Sequence, residues 1–537
     1  MKNIMFKTKA VSFAFVVAVM AFAACTKDAT GGEDVIAPED SVENAQSTLT
    51  TVKLASFAGD ASRVTYAESS RAEAKPGSLK LVAEIANPSA QADFSNFDIE
   101  DRYLSATSVY YDQSSGTYYA TYHMQGNNYN TKQEVETAGL IETFNINEDG
   151  EPTLKSIYRA ENPSELDFDF NHIYFDQIPN PSVYVGDYTA DSDSGVRIIV
   201  GGHKTEPSSK VGGKPNTAAI IAKLNLPEGT IDYATVYTGE KILDDNDKSL
   251  GNEDAGDVNC FVRKYNHYYL ATRKGIAILK AGKENMFEPE LDANDHVYFL
   301  KTPGSAKYIS QPTTTSYIDF LYLTEDTPKD MTATTAIPAQ IMSCAISNDF
   351  QGTQRDLPIG MESVTDFNWQ SGSPWPKISE PIESVSPVDG KNVFFSGSLN
   401  TAAKFACLGK NGLYVYNPTY GYNQDEIIKF SDAADGSRPV NGIFVEDWDA
   451  ENGHHYTDGF IYVANGACLT ILDALTLEKV AEYSAYNSKD EEHLASANYV
   501  HVVKTNIKTN AGAPDRIITV AYGQAGVKVF KFVPPTK

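Results

Sequence analysis

The sequence predicts an all-β chain, and three observations carry that reading. Short runs rich in aromatic and β-branched residues recur between turn signals, and no long stretch shows the 3.6-residue apolar period of a helix. Gly459–Tyr483 spells out one compact unit. In it Phe460–Ala464 is an apolar strand, Asn465-Gly466 a turn, Leu469–Leu472 a second strand, and Glu478–Tyr483 a strand that alternates apolar with polar. A sheet this small cannot bury both of its faces alone, so its stability has to come from stacking against copies of itself. The expected architecture is a β-propeller of seven blades, with six to eight as the range the spacing allows, closed by an N-terminal strand.

The elements follow in chain order. Lys2, Lys7 and Lys9 form a positive region, Ala10–Met20 an apolar one, and Phe22-Ala23-Ala24-Cys25 a small-residue cleavage site ending on cysteine. The apolar run is shorter than the ~20 residues a membrane-spanning helix needs. The segment resembles the signal of Gram-negative bacterial lipoproteins, with Phe22 where leucine is commoner. The resemblance implies that residues 1–24 are removed, that Cys25 receives the lipid, and that the membrane is a partner through that anchor. Residues 25–47 are acidic and poor in large apolar side chains, which predicts a flexible tether. Lys27-Asp28 and Glu33-Asp34 place acidic residues soon after Cys25, which resembles sequences that send lipoproteins to the outer cell surface. The implied location is the outer membrane, facing the exterior.

Residues 48–537 are assigned to the propeller. About 490 residues exceed an ordinary single core, but a repeat ring adds a layer of core with each blade. Third strands are expected from Gly139, Ala218, Gly275, Ala339, Gly412, Cys468 and Gly526, about 55 to 80 residues apart. Their upstream partners are placed at Tyr118–His123, Val183–Tyr188, His267–Thr272, Ile318–Leu323, Phe405–Leu408, Phe460–Ala464 and Ile517–Tyr522. The last unit lacks an outer strand, because Pro534-Pro535 forbids another ladder strand, while Ser78–Ile85 is a strand without a partner of its own. Pairing the two closes the ring and removes its edges. Thr51–Phe57 is a further short strand, on a rim or in the tether. Residues 324–390 are read as an inserted loop region crossing one face.

Tyr462-Val463-Ala464-Asn465, Thr470-Ile471-Leu472-Asp473 and Leu477-Glu478-Lys479-Val480 resemble the repeat of bacterial β-propellers of the YVTN and LVIVD kinds. That resemblance implies the fold and leaves the function open.

A formal charge of −27 argues against a nucleic-acid partner, which needs a basic footprint. No G-x-S-x-G elbow, phosphate loop, H-E-x-x-H or dinucleotide fingerprint is present, so neither catalytic residues nor a cofactor are assigned. The candidate binding residues are Trp369 and Trp375 in the inserted region, Tyr420 and Tyr422 around Gly421, and Trp448, flat rings outside the apolar strand runs that suit stacking on a glycan or other small molecule. The alternative for the tryptophans is that they plug the loop's own core. Asp447, Asp449, Glu451 and Asp458 have nearly the span of a calcium loop, but Gly453 falls one position late. The fragments 145–150 and 191–195 lack the closing Glu and read as hairpin turns. His454-His455 lacks a second metal-ligating pair, so no metal is assigned. Cys260, Cys344, Cys407 and Cys468 fall in or beside strands of separate units and read as buried thiols.

The function expected is a non-catalytic binding or accessory component, serving an outer-membrane transporter or envelope assembly. An exported carbohydrate-active propeller enzyme and a structural or adhesion component of the envelope are the alternatives.

Overall fold

The computed structural model describes residues 49–67, 75–88, 102–113, 115–126, 139–162, 167–177, 196–211, 214–264, 267–282, 285–291, 297–302, 304–310, 317–323, 339–345, 365–366, 372–374, 395–396, 404–407, 412–416, 426–428, 430–432, 436–438, 440–446, 459–474, 476–485, 495–509 and 513–535. Met1–Ala45 and Gln46–Lys537 form two separate units, and every described residue belongs to the second. The described chain is all-β; its only helix is a single 3-10 turn, Ala61–Arg63, started by the Asp60 carboxylate accepting from Ser62 N–H.

Among the described residues, seven antiparallel meanders of four strands follow one another. The first is Arg102–Asp112, Thr117–Gly126, Leu140–Ile146 and Pro152–Ala160. The second is Asp167–Gln177, Val196–Val211, Lys214–Asn225 and Thr230–Thr235. The third is Val258–Lys264, His267–Thr272, Gly275–Lys280 and Phe299–Lys301. The fourth is Ala306–Ser310, Tyr317–Leu323, Ala339–Ala345 and Gly372–Pro374. The fifth is Phe395–Ser396, Lys404–Cys407, Leu413–Tyr416 and Glu426–Ile428. The sixth is Val440–Val445, Phe460–Asn465, Cys468–Asp473 and Lys479–Ser484. The seventh is Ala495–Lys504, Arg516–Gly523 and Val527–Val533, completed by Ser78–Ile85 from the other end of the chain.

All seven expected third strands are therefore present, and the N-terminal strand pairs with the last unit. Val183–Tyr188 lies outside the described residues, and the partner of Lys214–Asn225 is instead Val196–Val211. Gly201-Gly202 interrupts that strand's apolar pattern, and a Cβ on Gly202 would stand 1.9 Å from the Asp169 carbonyl oxygen. The stretch 324–390 is not loop alone. Ala339–Ala345 and Gly372–Pro374 are ladder strands of the fourth meander, and Thr365–Asp366 pairs in parallel with Phe299–Lys301. Short strands separated by long polar connections lack the run length that sequence periodicity needs. Thr50–Ala58 joins two outer edges: Thr50–Lys53 pairs with Thr230–Tyr233, and Leu54–Ala58 with Ser156–Ala160.

The unit Gly459–Tyr483 buries both faces against its neighbours, which is what its size demands. Phe460, Tyr462 and Ala464 pack with Val500, Ile518 and Tyr522 of the seventh meander. Ile461 and Val463 point the other way, into Leu413, Val440 and Ile443. Further cores join the seventh meander to the first, the first to the second, and the second to the third.

The first strands carry a shared device. Each of six has a break in register at one polar residue: Thr107, Asn171, Asn259, Lys307, Asn441 and, in a wider bulge, Asn498. A bulge leaves a residue unpaired and re-aims its side chain. Five of these side chains donate to the carbonyl just ahead of the next strand's bulge residue: Thr107 to Phe170 O at 3.3 Å, Asn171 to Val258 O at 3.3 Å, Asn259 to Ala306 O at 2.7 Å, Asn441 to Ala497 O at 3.1 Å and Asn498 to Ala106 O at 3.4 Å. All five are buried. The chain of bonds runs from the first meander to the fourth, and from the sixth through the seventh back to the first.

Candidate functional site

The bulge at Lys307 makes no such bond, and several charged side chains lie beside it. In the second meander Asp169 sits directly across from His203, while Asn171 two residues on forms the bulge. Phe168 and Phe170 pack into the apolar core between the first two meanders, beside Tyr233. In the third meander Asp257 enters the first strand from a turn at Gly256, whose φ of +90° favours glycine. The Asp257 carbonyl accepts from Arg273 N–H at 3.1 Å, which brings the turn of the second hairpin against the strand entry. From the fourth meander come Ser305 and Lys307.

Asp257 is the hub. Its carboxylate lies 3.5 Å from His203 Nδ1 and accepts from Asn171 Nδ2 at 3.0 Å. Burial opposes charge on both partners, yet each holds the other charged: His203 is raised above the ordinary histidine value by Asp257, and Asp257 is lowered by His203, Arg273 and Asn171. Burial raises the neighbouring Asp254, although it accepts from Ala219 and Gly256 N–H.

Lys307 is 4 % exposed and makes no hydrogen bond or ion pair with a described residue. Burial, with Arg273 adding its own positive charge, lowers its ammonium to about 8 against the opposing pull of Asp257. Ser305 Oγ, two residues earlier and 2 % exposed, has no hydrogen-bond partner. Arg273 is an exposed residue whose positive charge favours the ionised form of Asp257. The arrangement mixes donors with acceptors: Asp257 Oδ1, 3.5 Å from His203 Nδ1, makes no hydrogen bond, and neither does Ser305 Oγ. Among the described residues no group of three or more His, Cys, Asp or Glu is placed to hold a metal ion.

The residues expected from sequence fall elsewhere. Cys25, Trp369, Trp375, Tyr420, Tyr422 and Trp448 lie outside the described residues, as do Asp447–Asp458, His454-His455 and the fragment 191–195. The fragment 145–150 is a hairpin turn in which Asn147 Oδ1 accepts from Asp149 and Glu151 N–H. Cys260 and Cys468 are buried thiols; the side chains of Cys344 and Cys407 are outside the described set.

Sequence reasoning missed the cluster at Asp257 and Lys307 because its members stand singly in segments far apart. The available signal was the recurrence of one polar residue behind a small or apolar one at six of the seven first strands: Ala106-Thr107, Phe170-Asn171, Val258-Asn259, Ala306-Lys307, Val440-Asn441 and Ala497-Asn498.

No protein-family model matches the chain, and neither does any curated protein. Among solved structures, Kluyveromyces lactis Hsv2 is similar over 78 % of this chain and 91 % of its own, at 8 % identity and a TM-score of 0.36.

Proposed function

We propose that the chain is a seven-bladed β-propeller, closed by Ser78–Ile85, that works as a non-catalytic binding component. In this reading it is held on the outer membrane, facing the exterior, by a lipid on Cys25. The observation that carries it is the run of seven four-stranded meanders whose last member takes its outer strand from the N-terminal side. First strands of successive meanders pack on one another from the first to the fourth and from the sixth through the seventh to the first, as blades around an axis do. Connections at the ends of such a ring are where binding residues collect. The cluster around Asp257 and Lys307 stands at the entry ends of three first strands. Partners of this kind of protein are a small molecule or glycan and an outer-membrane transporter or envelope assembly.

The test has two arms. Cys25→Ser should leave the protein in the aqueous phase of a detergent partition while the parent enters the detergent phase, and equal partition removes the lipid anchor from the reading. The purified full chain, screened against glycans and small acids, should gain melting temperature with a ligand that is recovered unchanged; conversion of that ligand would make the protein an enzyme instead.

A further inference from the structure

Six large apolar side chains of the described residues are exposed, and four of them belong to one hairpin: Tyr237, Ile242, Leu243 and Leu250. The hairpin, Tyr237–Leu243 with Ser249–Asp254, stands between the second and third meanders and pairs with no described strand of either. Two strands alone are marginal in water, so such a projection has to be held at both ends. At its tip the Asp244 carboxylate accepts from Asn246 and Lys248 N–H at 2.9 and 2.8 Å, and Asp244 N–H donates to Lys248 O at 2.9 Å. At its base Glu253 pairs with Lys274 at 3.0 Å and accepts from the Thr238 hydroxyl at 3.0 Å, while Glu240 pairs with Lys301 at 3.1 Å. A bulge at Leu250 leaves Ile242 across from Gly251, where a side chain would meet nothing within 4 Å. The hairpin is thus pinned in a shape that keeps Leu243 51 % and Leu250 66 % exposed. Asp245 and Asp247 are exposed on the turn between those two leucines.

We propose that the far end of this hairpin is the docking surface for another protein of the envelope, one with an apolar cleft rimmed by basic side chains. The inference rests on the binding reading above and names the surface that a macromolecular partner takes. Ile242, Leu243 and Leu250 supply the apolar centre, whose removal from water drives association. Asp245 and Asp247 stand at its rim and select the partner by charge. A second copy of this chain brings the same two carboxylates and a net charge of −27, so it is repelled. A lipid surface is disfavoured as well, because the aliphatic tip cannot enter it without drawing ionised carboxylates out of water.

The test places the photoreactive residue p-benzoylphenylalanine at Leu250 of the full chain in its native cells. The control carries it at Tyr66, which is 52 % exposed on the short strand Val64–Tyr66. Irradiation should give one adduct with a different protein from Leu250 and none with that protein from Tyr66. The adducted protein, identified by mass spectrometry and purified, should bind the detergent-solubilised full chain in a saturable isotherm that weakens as sodium chloride rises. Ile242→Ser with Leu250→Ser should weaken that binding by about tenfold or more. Asp245→Asn with Asp247→Asn should weaken it too and flatten its salt dependence; asparagine tolerates the φ of +59° at position 247. Both pairs should leave the melting temperature of the free chain nearly unchanged, since all four side chains are exposed. No adduct, the same adduct from Tyr66, an adduct only with lipid or with a second copy, or binding that either pair leaves unchanged overturns the proposal. A chain that carries the lipid and binds a small ligand, yet gives no such adduct, loses this surface and keeps the binding reading.

Discussion

His501 packs against the rings of Tyr110 and Phe444, with centroids 4.9 and 5.4 Å away, and burial pushes its pKa down to about 4. Because the folded value is below the ordinary ~6.5, the contribution of neutral His501 is fully present above that pH and is lost as pH falls toward 4, with a ceiling of about 3 kcal/mol. His203 acts with the opposite sign: its raised value gives a contribution present below ~6.5 and lost as pH climbs through the folded pKa. His501→Phe should therefore flatten the loss of stability between about pH 6.5 and 4, read as urea midpoints; parallel curves for parent and variant would contradict the assignment. A second residue-scale test is Glu446, which accepts from Arg516 at 2.7 and 3.1 Å and from the Tyr462 hydroxyl at 2.8 Å. Both members of that ion pair are almost wholly buried. Glu446→Ala leaves a buried guanidinium without its carboxylate and should cost about 3–5 kcal/mol, measured by chemical denaturation.

The bulges behave as joints between elements. Asn259→Ala leaves the Ala306 carbonyl without its side-chain donor and Asn441→Ala does the same to Ala497, so each should lower stability by about 1–3 kcal/mol, and denaturant midpoints equal to the parent's would show that the bonds between meanders contribute nothing. These joints also explain what was readable beforehand. The third strands were legible because they are unbroken apolar runs, buried on both faces, as in Gly275–Lys280 and Cys468–Asp473. The first strands were not, because a polar residue at the bulge interrupts their alternation and mimics a turn. Val196–Val211 was hidden by Gly201-Gly202 for a related reason, since close approach to Asp169 has removed the side chains that would mark a strand. The polar cluster was illegible altogether: Asp169, Asp257 and Lys307 look like isolated solvated charges until the ladder places them together.

At the scale of the molecule, the seventh meander is incomplete without Ser78–Ile85. Leu79 and Leu81 lie over its core, Ile85 and Ala83 are fully buried in the next, and Glu84 pairs with Lys528. A chain beginning at residue 87 should expose the Val527–Val533 edge and run as aggregates in size exclusion, whereas one beginning at 48 should stay monodisperse; Leu81→Pro in the full chain should reproduce the first behaviour. Indistinguishable profiles for all three would separate the pairing from solubility.

That pairing also sets an order in time. Lys528 and Glu84 are 444 residues apart, so the contact has to wait until nearly the whole chain is available. Thr50–Ala58 does not wait, since its partners at 156–160 and 230–233 arrive much earlier. Once docked across those two edges, it holds the following strand near its destination and shortens the search for the C-terminal partner, turning a closure between distant ends into a local one. Refolding should accordingly end in a slow phase that reports Val527–Val533, and that phase should slow further when Thr50–Ala58 is removed while Ser78–Ile85 is kept.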